Sequence, residues 1–162
     1  MSIVDELLEN NRRYARSFAG GDLPAPPAKR LAVIACMDAR LDVHRILGLA
    51  EGDAHVIRNA GGVISEDAIR SLLISQRLLG TEEIMLIHHT ECGMVTFRDD
   101  EVRRQVEEET GIRPPFALEA FRDPAEDVRQ SIARIQASPF VPRKNVRGFV
   151  YDVRTGLLQE VG

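Results

Sequence analysis

Apolar runs alternate with amphipathic stretches along most of the chain. Residues 31–36 have the continuous hydrophobicity of a strand that is buried on both faces, and residues 54–58, 83–89 and 145–153 are three further candidate strands. Because helical patterns separate these runs, the sequence predicts an α/β fold with a mostly parallel β-sheet flanked by helices. Residues 157–161 follow a Thr155-Gly156 turn and are a candidate antiparallel edge strand.

Two of the segments between these runs carry the start signals of helices. Ser65 is a good N-cap for a helix that Gly80 is placed to end. A later helix begins at Asp123-Pro124, where Glu126 has the spacing of a capping box. The charge-rich segment 98–110 is typical of a solvated helix face.

The N-terminal residues form an amphipathic helix that stands apart from the rest of the chain. Apolar residues recur at helical spacing over 3–18, and a segment rich in glycine and proline follows. We therefore predict one domain over residues 1–162, with an arm helix at 1–20, a linker at 20–30 and a catalytic body at 31–162. The apolar stripe of the arm either folds back on its own body or lies across a second subunit, and both arrangements are open.

Composition and charge narrow the class of protein. The chain has 162 residues with 21 Lys and Arg against 25 Asp and Glu, and this acidic balance argues against a nucleic-acid partner. The longest uncharged apolar stretch, 31–37, is far too short to cross a membrane. The N-terminus lacks the pattern of a signal peptide, and two cysteines cannot build a disulfide scaffold. We expect a cytoplasmic protein with reduced thiols or cysteine ligands.

Reactive side chains collect at the ends of two predicted strands. Cys36 closes the first strand, and Asp38 and Arg40 follow at alternate positions that share one face of an extended chain. His89 closes the third strand, and Cys92 lies three residues later. Two thiols, an imidazole and a carboxylate suit zinc. Free cysteines also commonly fill cores, so this spacing leaves a metal site and a packed core equally open.

Three segments resemble the signature segments of β-class carbonic anhydrases of the short prokaryotic branch. They are Cys36-Met-Asp-Ala-Arg40, Arg58-Asn-Ala-Gly-Gly62 and His89-Thr-Glu-Cys92-Gly93, in the family's order. The resemblance implies a carbonate dehydratase, a lyase with one Zn²⁺ per chain that interconverts CO2 and bicarbonate. It also implies a homodimer in which the N-terminal helix reaches over the partner subunit.

The resemblance also assigns roles to residues of this chain. Cys36, His89 and Cys92 resemble the zinc ligands, and Asp38 and Arg40 resemble the catalytic pair that orients zinc-bound hydroxide towards CO2. Asp38 has a second option, because it can leave Arg40 and become a fourth zinc ligand. The remaining residues are expected beside the substrate pocket: Arg58, Asn59, Ala60, Gly61 and Gly93.

Other readings of the same residues stay open. Ala39 and Gly62 differ from the residues common in the family, and a few relatives of the fold resemble enzymes that act on CS2 or COS. A non-catalytic zinc-binding protein is a further alternative, against which the Asp38 and Arg40 pair argues. A thiol redox protein is disfavoured because the chain has no C-x-x-C motif.

Overall fold

The computed structural model describes residues 2–162 and contains one five-stranded sheet in order β2-β1-β3-β4-β5. Strands β1 to β4 pair in parallel, and β5 runs antiparallel to β4 along one edge. The predicted fold class is therefore confirmed. The strand bounds are β1 Leu31–Cys36, β2 Ala54–Asn59, β3 Glu83–His89, β4 Asn145–Tyr151 and β5 Leu158–Val161.

Five α-helices and two short 3₁₀ turns accompany the sheet in the described residues. The helices are α1 Ile3–Ala15, α2 Val43–Leu47, α3 Glu66–Arg77, α4 Asp99–Thr110 and α5 Pro124–Ala137. The 3₁₀ turns, Ala60–Gly62 and Gly93–Val95, each follow a strand on the side where the candidate site lies.

Several predicted boundaries differ from the structure. The arm helix ends at Ala15 because Phe18 closes a tight turn onto Ala15 just before the two glycines. Strand β4 ends at Tyr151, and Asp152 begins the turn that leads to β5. The short helix α2 was not predicted, since its five residues carry too little periodicity to detect.

The helix starts follow local hydrogen bonding. Ser65 caps α3 by accepting a hydrogen bond from the Ala68 amide at 3.2 Å, as predicted. Asp123 caps α5, but the expected capping box is wrong, because the Glu126 side chain pairs with Arg129 instead. A capping box does occur at the start of α1, in the first turn of the arm.

The sheet separates two apolar layers. One layer contains Ile34, Leu86 and the inner faces of α3 and α5. The other contains Val33 and Ile87, together with α2 and the two loops that follow β1 and β3. Both cysteines belong to the second layer, so packed apolar side chains hold the candidate site in place.

The arm helix α1 does not bury its apolar stripe. None of its residues Ile3–Ala15, all of them described, is buried, and Ile3, Leu7 and Leu8 each expose at least half of their surface. The arm touches the body through Tyr14, whose hydroxyl donates to Glu51 at 2.5 Å. Folding back onto its own body is therefore wrong, and this surface is available to a partner. No helix within residues 2–162 has the length and hydropathy needed to span a membrane.

Candidate active site

Three potential metal ligands converge at the carboxyl end of the sheet. Strands β1 and β3 are parallel neighbours, so Cys36 and His89 close adjacent strands at the same edge. Cys92 joins them from the loop after β3, and the donor atoms of the three residues all lie within 4.8 Å of one another. All three side chains are buried.

The His89 ring is oriented by its own loop. Its Nδ1 lies 2.7 Å from the Thr90 carbonyl oxygen, and because a carbonyl only accepts, Nδ1 carries the proton. The buried Nε2 atom has no hydrogen-bond partner among residues 2–162. An unprotonated, unpartnered ring nitrogen facing two thiols is a ligand geometry. This buried orphan atom fits a metal ion better than it fits a packed core.

The two thiols lie close enough to alter each other's pKa. Interaction with Cys92 lowers the pKa of Cys36 despite burial, and interaction with Cys36 together with burial raises the pKa of Cys92. The backbone amides of Asp38 and Gly61 also lower the pKa of Cys36. A divalent cation can displace the proton that Cys92 holds and stabilise both thiolates. The donor set of two thiolates and one imidazole fits zinc with a fourth position left open.

Asp38 is held in place by Arg40. The guanidinium donates from Nε to Oδ1 at 2.9 Å and from Nη2 to Oδ2 at 2.8 Å, and the Arg40 backbone amide adds a third bond at 2.8 Å. These bonds hold the pKa of Asp38 well below its usual range. Asp38 Oδ2 lies 3.6 Å from His89 Nε2, beside the three-ligand cluster but outside it. The carboxylate is thus ionised and aimed at the site by a bidentate ion pair.

Arg58 and Asn59 shape the site from behind. The Arg58 guanidinium donates to the Cys36 carbonyl at 3.0 and 2.8 Å and to the Asp38 carbonyl at 2.8 Å. The Asn59 side chain closes the following turn through two 2.9 Å bonds to the Val63 backbone. Both residues were expected beside the pocket, but the structure gives them backbone partners rather than a position in its lining.

An open cavity of about 540 Å³ lies over the cluster. Ala60, Gly61 and Gly93 line it as expected, together with both cysteines and Asp38. The rest of its wall is apolar and consists of Met37, Met94, Phe97, Val102 and Leu118. The cavity therefore combines a small polar floor with a wall suited to an uncharged, apolar small molecule.

Part of this wall depends on residues that no sequence pattern singles out. Leu118 lies in the irregular segment between α4 and α5, where no periodicity predicts its position. The Asp99 carboxylate accepts hydrogen bonds from the amides of Leu118, Glu119 and Ala120 at 2.8, 2.9 and 2.8 Å. Asp99 therefore fixes the segment that carries Leu118 against the cavity.

Two further histidines, His88 and His55, have structural surroundings. His88 lies on the opposite face of β3 from His89, is buried, and contacts Asp127 of α5 at 2.7 Å. His55 contacts the buried Ser75 hydroxyl at 2.8 Å.

Comparison with known proteins identifies the family. A carbonic anhydrase family model matches residues 31–158. Beta-carbonic anhydrase 1 of Mycobacterium tuberculosis is 59% identical over 99% of both chains. A carbonic anhydrase structure from Streptococcus mutans superposes with a TM-score of 0.93 at 41% identity, covering 100% of this chain and 99% of that one. A carbon disulfide hydrolase of Acidithiobacillus thiooxidans is 33% identical over 98% of this chain and 90% of its own length.

These likenesses extend over the whole body of the chain and include the strand ends that carry the cluster. The protein is an enzyme, and it belongs to the β-carbonic anhydrase family.

Proposed function

We propose that the protein catalyses the reversible hydration of CO2 to bicarbonate and a proton, with one Zn²⁺ per chain held by Cys36, His89 and Cys92. The observation that carries this proposal is the Asp38 carboxylate, fixed by Arg40 next to the three donor atoms. A zinc site that served structure alone would gain nothing from such a pair. When bound, zinc supplies a Lewis acid that makes water a nucleophile near neutral pH.

Asp38 orients the attacking oxygen. Its carboxylate is ionised and accepts hydrogen bonds, so it can hold the proton of the nucleophile and direct a lone pair towards CO2. Arg40 keeps the carboxylate in that orientation through the two side-chain bonds. For Asp38 to act as a fourth metal ligand, it would have to give up both of these bonds. We therefore assign the Arg40-paired arrangement to the working enzyme.

The apolar wall binds the substrate and favours release of the product. CO2 is uncharged, and Met37, Val102 and Leu118 offer it van der Waals contact without a polar partner. Bicarbonate is an anion, which the same apolar wall solvates poorly. Asymmetry between a neutral substrate and a charged product thus favours entry of the one and release of the other in the hydration direction.

We also propose that the working unit is a homodimer or an assembly of dimers. The exposed stripe of α1 carries Ile3, Val4, Leu7 and Leu8 on a helix that does not pack on its own body. A monomer would leave this stripe in water at a cost of about 25 cal/mol per Å². A second copy of the chain covers it symmetrically. The cytoplasmic location stays a prediction from the sequence.

Hydrolysis of CS2 or COS is the alternative that the same site chemistry would serve. It has less support, because the named carbon disulfide hydrolase matches at 33% identity and the named carbonic anhydrase at 59%. A non-catalytic zinc protein has less support still, since Asp38 and Arg40 are both present and paired.

Stopped-flow assays on zinc-loaded protein separate these functions. We expect rapid hydration of CO2 and little or no turnover of CS2. Turnover of CS2 without CO2 hydration would support the hydrolase instead. A chain that holds one zinc and turns over neither substrate would support a non-catalytic role and overturn the proposal.

A further inference from the structure

One residue between the ligands His89 and Cys92 connects two arginines. The Glu91 carbonyl oxygen accepts a hydrogen bond from Arg40 Nη2 at 2.9 Å. The Glu91 carboxylate is bound by Arg154 through two bonds of 2.9 Å. Glu91 also has a φ of +53°, a left-handed conformation that side-chain-bearing residues adopt rarely. The chain therefore maintains an unusual backbone at the point where Arg40 is anchored.

Hydrogen bonds within a turn, and from that turn to the ligand loop, hold Arg154 in position. It lies in the turn between β4 and β5, where the Asp152 carboxylate accepts the Arg154 amide at 2.8 Å. The same turn is fastened to the ligand loop, because Thr90 donates to the Tyr151 carbonyl at 2.9 Å and accepts from the Val153 amide at 3.1 Å. The turn that carries Arg154 is thus hydrogen-bonded to the loop that carries Glu91, and this places the Arg154 guanidinium beside the Glu91 carboxylate.

Four neighbouring side chains next to the metal-ligand cluster alternate in charge. Asp38 is negative, Arg40 positive, Glu91 negative and Arg154 positive. Arg40 has a single guanidinium, and both Asp38 and the Glu91 carboxylate attract it. With its carboxylate paired to Arg154, Glu91 offers Arg40 only its neutral carbonyl. Without Arg154, the Glu91 carboxylate would compete with Asp38 for the same guanidinium.

Resting on the function proposed above, we propose that Arg154 is a positioning residue that binds the Glu91 carboxylate and so reserves Arg40 for Asp38. In this arrangement Asp38 stays paired and outside the metal-ligand cluster. Loss of Arg154 frees Glu91 to draw Arg40 away, and the released Asp38 carboxylate can then turn towards the metal position.

The first test replaces Arg154. In Arg154→Ala, kcat for CO2 hydration should fall by about fivefold or more, with little change in KM. About fivefold corresponds to the largest free energy that an exposed ion pair usually contributes. KM should hold because the apolar wall of the cavity contains no atom of Arg154. The matched control is Arg147→Ala, which removes an equally bidentate, exposed pair to Glu160 on the same hairpin. The control should keep the activity of the unmodified chain, and an equal loss in both variants would overturn the proposal.

The second test separates competition from simple loss of an ion pair. If Arg154 acts by neutralising Glu91, the double variant Glu91→Gln/Arg154→Ala should recover most of the activity that Arg154→Ala loses. If the pair only stabilises the loop, the double variant will be no better than Arg154→Ala. That result would contradict the proposal.

A third readout does not depend on catalysis. Replacing zinc by Co²⁺ gives a visible absorption spectrum that responds to the number and type of ligands. We expect Arg154→Ala to change this spectrum at neutral pH, the double variant to restore it, and Arg147→Ala to leave it unaltered. Identical spectra for the unmodified chain and Arg154→Ala would overturn the positioning role even in a protein that failed to hydrate CO2. A spectral change in a protein without CO2 hydration would instead support the positioning role and count against the proposed function alone.

Discussion

Replacement of Gly61 by alanine tests how the turn beside the ligands is built. Gly61 has a φ of +87°, and its backbone amide supports Cys36. A β-carbon there would lie 2.9 Å from Met94 Cγ and 3.2 Å from atoms of Phe121 and Val63. The left-handed backbone costs alanine about 1–2 kcal/mol. Crowding adds about 1–3 kcal/mol, so we expect Gly61→Ala to lower the free energy of unfolding by about 2–5 kcal/mol.

Gly80 provides a matched control. Its φ of +75° imposes a similar backbone penalty, but a β-carbon there meets no atom of the described chain within 4 Å. Gly80→Ala should therefore cost only about 1–2 kcal/mol. Urea unfolding followed by circular dichroism, at one fixed protein concentration, measures both losses. Equal losses in the two variants would refute the crowding at Gly61.

Gly61 also lines the cavity, so its replacement should lower the catalytic activity as well as the stability. We expect kcat/KM for CO2 to fall in Gly61→Ala and to stay near that of the unmodified chain in Gly80→Ala. Full activity in folded Gly61→Ala would show that the cavity tolerates a methyl group at this point.

Three further predictions concern separate parts of the molecule. Arg40→Ala should retain zinc by metal analysis but lose CO2 hydration by at least about 100-fold, the scale of one oriented catalytic group; near-normal activity would contradict the role of the pair. Burial raises the pKa of Asp99, but the three amides it accepts from outweigh burial and hold that pKa below its usual range. Its stabilisation is therefore present above about pH 4 and lost as the pH falls further, so urea midpoints of Asp99→Asn and of the unmodified chain should converge in acid, while Asp100→Asn changes little at any pH. A constant gap would refute this. The double variant Leu7→Asp/Leu8→Asp should dissociate the proposed dimer in analytical ultracentrifugation, whereas a dimer that this variant leaves unchanged would exclude α1 from the interface.

Much of the fold follows from local pattern. The strand β1 and the helix α3 are marked by a continuous apolar run and by the Ser65 cap, both of which act over a few residues. The predicted ends of α1 and β4 were wrong, because each element ends at a turn, at Ala15 and at Tyr151, although the apolar pattern continues past it. There the hydrogen bonds of the turn, rather than the hydropathy of the residues, end the element.

The centre of the site was accessible to sequence reasoning, but its supports were not. Cys36 and His89 close strands, and parallel pairing of β1 with β3 brings strand ends together by rule. Asp99 and Arg154 act through contacts with segments distant along the chain, at Leu118 and Glu91. The spacing of residues along the sequence does not predict such contacts, because they depend on the conformation of irregular loops over the sheet.

The most direct test of the central claim is a zinc titration of metal-free protein followed by CO2 hydration. We expect the rate to rise in proportion to bound zinc and to level off at one Zn²⁺ per chain. Cys92→Ser, which replaces a thiolate by a neutral hydroxyl, should bind little zinc and stay near the uncatalysed rate. Full activity in metal-free protein, or full zinc and full activity in Cys92→Ser, would contradict the assignment of Cys36, His89 and Cys92 as the catalytic metal site.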